Sequence, residues 1–510
     1  MTSSYYDVVV LGTDVAPLTC AALLAKRGFR VVVLGQLREG SDYSLGRYRL
    51  PRQAFTFTAN HAPTARRVLH ELGLGQTFRR LTHALDPEFQ IALPGHRFDV
   101  HGDEAAFDRE VEREFPDVRR PVIDFCRRIG QHARSTDRLF ERDLAWPPES
   151  LLERRELAQM AASFELDRED KRERMLSELP DLHPFRSAML APLAFTAQAD
   201  PDTITTLQLA RLLDGHLRDA VSIDGGLAAL TNLLIEKIRS HSGHLRMRER
   251  ASQIIVGRTG ATGIRLAGSD EELGCAHVIA GVDVAKVTRL LADRSPFEQM
   301  FERLGEPQPR FYRFTLNAII ETVGVPEGMR RDVYSIRDSR RPLHSENLIH
   351  VELSRLDERE SLLCIEALLP ARAVEDRDGS LDGARERLLD ALGDLLPFLE
   401  QHLLGLDSPH DGRKPWFRDP SVNQALDPLE RRGPETMRIV HAFPMATALS
   451  TCAMPVRTRL RGLLICNEQV APALGLEGQL IAAASAARLV TRADRGREWL
   501  RRRLWAKVEF

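Results

Sequence analysis

Asp7-Val8-Val9-Val10-Leu11-Gly12-Thr13-Asp14-Val15-Ala16-Pro17-Leu18 is the stretch that decides the fold. Val8 to Leu11 is an unbroken apolar run, the pattern of a parallel strand covered on both faces. Gly12 to Pro17 is a tight turn. Leu18 to Arg27 reads as a helix, with Leu18, Ala21, Ala22 and Ala25 on one face and Gly28 as its stop. A second apolar strand runs from Arg30 to Leu34. Strand, turn, helix and strand in this order make the βαβ start of a doubly wound sheet.

Working outward, Leu37 to Arg52 reads as a loop. Thr64 to Leu74 and Glu104 to His132 read as helices, with strands at Glu88 to Leu93 and His96 to Val100 between them. Asp224-Gly225-Gly226 opens a helix from Leu227 to His241. Strands follow at Leu245 to Arg250, Gln253 to Val256, Gly263 to Leu266 and Ala276 to Ala280. Residues 311–321, 347–353 and 361–368 alternate or run apolar, as in a mixed or antiparallel sheet of a separate domain. Residues 383–404 read as one helix and 407–436 as a loop. Arg461 to Cys466 is a last strand and Leu480 to Leu489 a last helix.

The chain has 510 residues, which is two or three domains' worth. Lys and Arg number 71 against 73 Asp and Glu, so the chain lacks the positive excess that a nucleic-acid partner demands. Six scattered cysteines form no CxxC pair, which argues against a disulfide framework and a zinc site. The start has no basic apolar leader, and no run reaches the roughly 18 apolar residues of a membrane span. A cytoplasmic protein is the expectation.

The opening unit resembles the dinucleotide fold of FAD-dependent flavoproteins of the phytoene desaturase and carotenoid isomerase type. Amine oxidases and Rab GDP-dissociation inhibitors share that fold. The resemblance extends to Asp224-Gly225-Gly226, to Val278-Ile279-Ala280-Gly281-Val282-Asp283, and to Leu463 followed by Pro472-Ala473-Leu474-Gly475-Leu476-Glu477-Gly478. It implies an α/β architecture: an FAD-type, Rossmann-like domain from discontinuous segments (1–75, 220–298 and 456–490). An α+β ligand domain (76–219 and 299–455) carrying a mixed or antiparallel sheet is inserted into it, and a basic amphipathic tail (491–510) follows.

The positions matching the family's cofactor contacts depart from its pattern. The G-x-G-x-x-G turn reads Gly12-Thr13-Asp14-Val15-Ala16-Pro17. Asp14 sets a carboxylate where the pyrophosphate approaches, and Pro17 replaces the glycine of close helix–strand packing. The acidic ribose ligand is replaced by Gly35, followed by Gln36. The flavin-side glycine pair is missing from residues 38–44. The C-terminal Gly-Asp pair is Asn467-Glu468, ahead of Gly475 and Gly478. Asp14 stands at the start of the helix and is expected to cap it, taking the phosphate's place.

Two functions therefore compete. One is a pseudoenzyme without stoichiometric FAD that binds a hydrophobic, isoprenoid-like lipid or polyene, or a protein partner. The other is an FAD-dependent desaturase, isomerase or saturase on a hydrophobic polyene. Three lesser features stay open. His241-Ser242-Gly243-His244 reads as a surface turn rather than a metal site. His441 to Met445 either lines a cavity or belongs to the core. Residues 492–510, with seven basic residues interleaved with Trp499, Leu500, Leu504 and Trp505, suit either an anionic membrane surface or packing on the chain's own domain. The run Asp167 to Arg174 reads as a solvated helix.

Overall fold

The computed structural model describes residues 4–36, 40–142, 144–162, 176–177, 179–269, 271–375, 381, 383–422, 432–444, 449 and 451–494. The charge run at 167–174 and the tail beyond 494 lie outside the described residues.

The opening unit is β1 (Ser4–Leu11), α1 (Val15–Lys26) and β2 (Val31–Leu34). Val8 to Leu11 and Val32 to Leu34 have no exposed surface, which is why neither strand alternates. Gly28, at φ +81°, ends the helix in a conformation that a side chain disfavours. β1 lies parallel between β2 and Glu272–Ala280, with Val9 opposite Val278. Seven strands form this sheet. Leu463–Ile465 pairs with the end of Glu272–Ala280, and the hairpin Ala251–Gly257/Gly260–Leu266 pairs with its start. The Gly226–Ser240 and Gly475–Ala493 helices pack on α1. The second is long and apolar enough to cross a membrane by length and composition, yet it is almost wholly buried against the core.

A nine-stranded sheet forms the second layer. It is antiparallel except where Asp332–Ile336 runs parallel to Phe89–Leu93. Its long strands are Gln308–Glu321, Glu360–Pro370 and Leu348–Arg355. Successive side chains alternate between the faces. Phe314, Leu316, Ile365 and Ala367 pack with Leu388 and Leu392 of helix Ala384–Gly393. The opposite face carries Arg313, Thr315, Glu366, His350 and Asp332, in cross-strand register and all buried. This polar face is turned toward the first layer.

Boundaries differ from the sequence reading at several places. Residues 37–52 contain a hairpin, Asp42–Leu45 with Tyr48–Pro51, because Tyr43, Leu45, Tyr48 and Leu50 bury against the second sheet. The helix expected over 104–132 is two helices, Glu104–Glu114 and Arg119–Glu141, since Phe115 before Pro116 leaves the helical region. The helix expected over 383–404 stops at Gly393, and Leu403–Asp407 becomes an edge-side strand.

Candidate functional site

The turn after β1 is built by close packing. Gly12 has φ +105°, and its N–H donates to the Leu34 carbonyl at 2.9 Å. A Cβ on Gly281 would lie 2.4 Å from Cβ of Pro17 and 2.6 Å from the Leu11 oxygen. The tight helix–strand approach is thus kept by moving the glycine to the neighbouring strand, and Pro17 is accommodated. Thr13 lines the adjoining cleft, and Ala16 is buried in the first turn of α1.

Asp14 is the N-cap residue of α1, but its side chain makes no capping bond. Its Oδ1 instead accepts a 2.9 Å bond from Nη2 of Arg438. The expectation of a carboxylate cap is corrected accordingly. The Asp14 carboxylate is turned to the guanidinium, a charge-assisted partner, and away from the N–H groups of its own helix. Arg438 Nη1 also lies 3.7 Å from Glu468. One arginine on strand Arg438–Ala442 therefore bridges two of the departing positions, the turn and the C-terminal pair.

Gly35 cannot bear any side chain here. A Cβ would sit 1.9 Å from the Met247 carbonyl oxygen. The Gly35 N–H donates to the Arg246 carbonyl, and Gln36, at φ +60°, donates its N–H to the Glu249 carbonyl at 3.0 Å. Backbone of residues 246–249 thus occupies the space that a side chain at position 35 would need. Asn467 is equally committed. Its Nδ2 donates to the Val282 carbonyl at 2.7 Å, and its Oδ1 accepts from the Gln469 N–H at 3.0 Å. Gly475 and Gly478 let the last helix press on backbone, with would-be Cβ contacts of 2.5 Å to the Thr196 oxygen and 2.0 Å to the Ala471 oxygen.

Between the layers lies a cleft of about 220 Å³, lined by Thr13, Asp14, Arg52, Arg313, His410 and Arg438 among others. Pockets for drug-sized ligands span roughly 300–1,000 Å³, and FAD is larger than such a ligand. The Asp14–Arg438 ion pair lines this cleft, and the backbone of Met247 stands against Gly35. A deeper cavity of about 70 Å³ continues from the cleft, sharing Asp14, Gln53, Arg313 and Arg438 with it.

The deeper cavity sits on the polar face of the second sheet. His350 Nε2 is 3.0 Å from Asp332, and its Nδ1 is 3.5 Å from Glu366. Burial alone would lower the His350 pKa, but the two carboxylates outweigh it and lift the value to about 9. Tyr334 stacks on His350 with centroids 4.5 Å apart. His216 borders the same cavity, and burial lowers its pKa to about 4. Sequence reasoning missed this row. Its signal was a charge in the interior of each apolar run, Arg313 in 311–321 and Glu366 in 361–368.

The other sequence features separate from the cleft. His241 and His244 flank a helix-to-strand turn, and His244 Nδ1 pairs with the Tyr6 hydroxyl at 2.9 Å. No group of three or more metal-ligating side chains occurs among the described residues. His441 is buried, 3.2 Å from Asp283, while Met445 lies outside the described residues. All six cysteines are free thiols. Of the tail, residues 492–494 are described, and Arg492 pairs with Glu153 at 2.9 Å. An apolar groove of about 700 Å³ lies elsewhere, between helices Leu151–Ala161 and Ser295–Leu304. Leu157, Met300 and Val456 floor it, and Arg303 and Arg457 edge it.

Against solved structures, the similarity extends over nearly the whole chain. A Methanosarcina mazei oxidoreductase superimposes with a TM-score of 0.55 at 14% identity, covering 94% of this chain and 99% of its own. A putrescine oxidase with redesigned cofactor binding gives 0.59 at 15% identity, covering 96% and 99%. The chain has the fold of the FAD-type oxidases. Cyclohexylamine oxidase from Brevibacterium oxydans adds a TM-score of 0.56 at 13% identity, covering 96% and 99%. At these identities the likeness is one of fold. No protein-family model matches the chain, and no curated protein sequence matches it.

Proposed function

We propose that this chain is a flavoprotein-fold protein that works without stoichiometric FAD, as a ligand-binding pseudoenzyme rather than a redox enzyme. The observation that carries the reading is the bridge from Asp14 through Arg438 to Glu468. It ties the start of α1 to the segment after the last strand, the two places where the family's motifs would grip the cofactor. FAD would have to break a partly buried ion pair and bring its own phosphates beside Asp14. It would also meet the backbone of Met247 where its ribose seeks a carboxylate. The test is to denature the purified protein and measure released flavin by visible absorption. Flavin well below one per chain is expected. One flavin per chain would overturn the reading and restore the alternative, an oxidoreductase acting on a polyene.

A second reading concerns the ligand. The interlayer cleft is lined by arginines, aspartates and amides, which suits a polar solute. An isoprenoid-like lipid is better matched to the groove beside Leu157 and Met300, whose floor is apolar. Solvent extraction of the native protein followed by mass spectrometry tests this, and an extract free of lipid and polyene would remove it.

A further inference from the structure

The apolar groove between helices Leu151–Ala161 and Ser295–Leu304 shares no described lining residue with the interlayer cleft. Its volume of about 700 Å³ lies within the roughly 300–1,000 Å³ of small-molecule sites. Helical spacing builds its walls. Arg154, Leu157, Ala158 and Ala161 fall at i, i+3, i+4 and i+7, one stripe of the first helix. Met300, Arg303 and Leu304 make the matching stripe of the second helix. Ala158 is exposed, and Pro147, Ala161, Leu449 and Pro455 are half-buried, so the lining offers apolar surface open to solvent.

The charge around the groove has one sign. Arg154, Arg303, Arg457 and Arg459 line it, and all four are exposed. Glu149 is the one acid among the described lining residues, and it is already paired with Arg457 at 2.7 Å. Arg459 donates to the Gln299 side chain, and Arg303 has no hydrogen-bond or ion-pair partner among the described residues. The whole chain has a net charge of −2, so this excess of arginine is local. Water satisfies an exposed guanidinium, but carboxylate and phosphate oxygens match its fork in charge and geometry. Arginine stems also extend apolar surface toward a charged end. The chain's own residues 495–510, with six basic residues against two acidic, would meet these arginines with like charge.

We propose that this groove binds an anionic amphiphile with a single apolar chain, the chain between the two helices and the headgroup on the arginines. This rests on the reading of the groove as a lipid site and adds the sign of the headgroup. The test titrates the full-length protein calorimetrically with decanoate, hexanoate, 1-decanol and decylammonium, all below micelle formation. Decanoate is expected to bind with a Kd of about 0.1 mM or tighter. Each buried methylene tightens binding by roughly fourfold, so hexanoate should bind at least tenfold more weakly. Decanol and decylammonium should also bind at least tenfold more weakly, since neither pairs with a guanidinium. Ala158→Trp should abolish decanoate binding by filling the groove, and Arg303→Glu should weaken it at least fivefold. Decanol or decylammonium binding as tightly as decanoate would overturn the proposal while leaving the lipid reading standing. Decanoate binding that survives both substitutions unchanged would place the site elsewhere and overturn it too. Absence of binding by all four would overturn both, the groove then being covered by the chain's own residues. Ala158 and Arg303 are exposed, and the wild-type titrations decide the headgroup even if a variant fails to fold.

Discussion

Asp14 and Arg438 stand 424 residues apart in the chain and meet in a 2.9 Å ion pair at the start of α1. Their side chains are only 16% and 17% exposed, so the pair is poorly screened by solvent. Removing one partner should leave the other charge half-buried. Arg438→Ala is expected to lower stability by about 1–3 kcal/mol, between the values for exposed and fully buried pairs. Denaturant unfolding with a double-mutant cycle on Asp14→Ala checks it. A coupling near zero would mean the contact does not hold the turn.

Gly35 yields a sharper structural prediction. Even Gly35→Ala sets a methyl 1.9 Å from the Met247 oxygen, and that neighbour is backbone. A loss of about 2 kcal/mol or more is expected, since residues 246–249 must move. Thermal unfolding reads it. An unchanged Tm would show that the segment does not cover Gly35. Introducing the family's acidic residue here would therefore not create a ribose site.

His350 imposes a pH dependence. Its pKa is raised to about 9 from an ordinary 6.5, so the folded state holds the proton more tightly than the unfolded state. The sign follows from linkage: the stabilisation is complete below pH 6.5 and is lost as pH rises through 9. His350→Gln should therefore be most destabilising at or below pH 6.5, and the gap to wild type should narrow toward pH 9. Urea midpoints of both proteins across this window measure it. A gap that widens with pH would contradict a protonated His350.

The last helix is tied to helix Thr206–Leu217 by Arg211 and Glu477, which pair bidentately at 2.8 and 2.6 Å. Arg211 is 1% exposed at its side chain and lies 4.5 Å over the Phe140 ring. Glu477→Gln should cost about 3 kcal/mol by stranding a buried guanidinium, with Asp137 as its remaining carboxylate. Arg211→Met combined with Glu477→Leu should recover most of that loss, because an apolar pair of similar size avoids the desolvation cost. Equilibrium unfolding of the three variants distinguishes the outcomes.

The sequence by itself determined what is local. The runs at Val8 to Leu11 and Val31 to Leu34, the turn glycine at 12 and the stop at Gly28 specify strand, turn and helix through backbone freedom and burial alone. The order of later blocks, through Val278 to Gly281 and Leu463 to Gly478, then places the remaining parallel strands, because only one sheet accepts them. The departures at Asp14, Gly35, Asn467 and Glu468 were equally legible. Their meaning was not. Asp14 was expected to bond its own helix, and only the tertiary structure supplied Arg438 as its partner. Gly35 read as a lost contact, whereas the fold shows a backbone occupying its Cβ position. The row from Arg313 through Glu366 to His350 exists only once three strands are in register. Periodicity reports which face a residue takes, but the partner across that face arrives from far along the chain, and charge pairing depends on that partner.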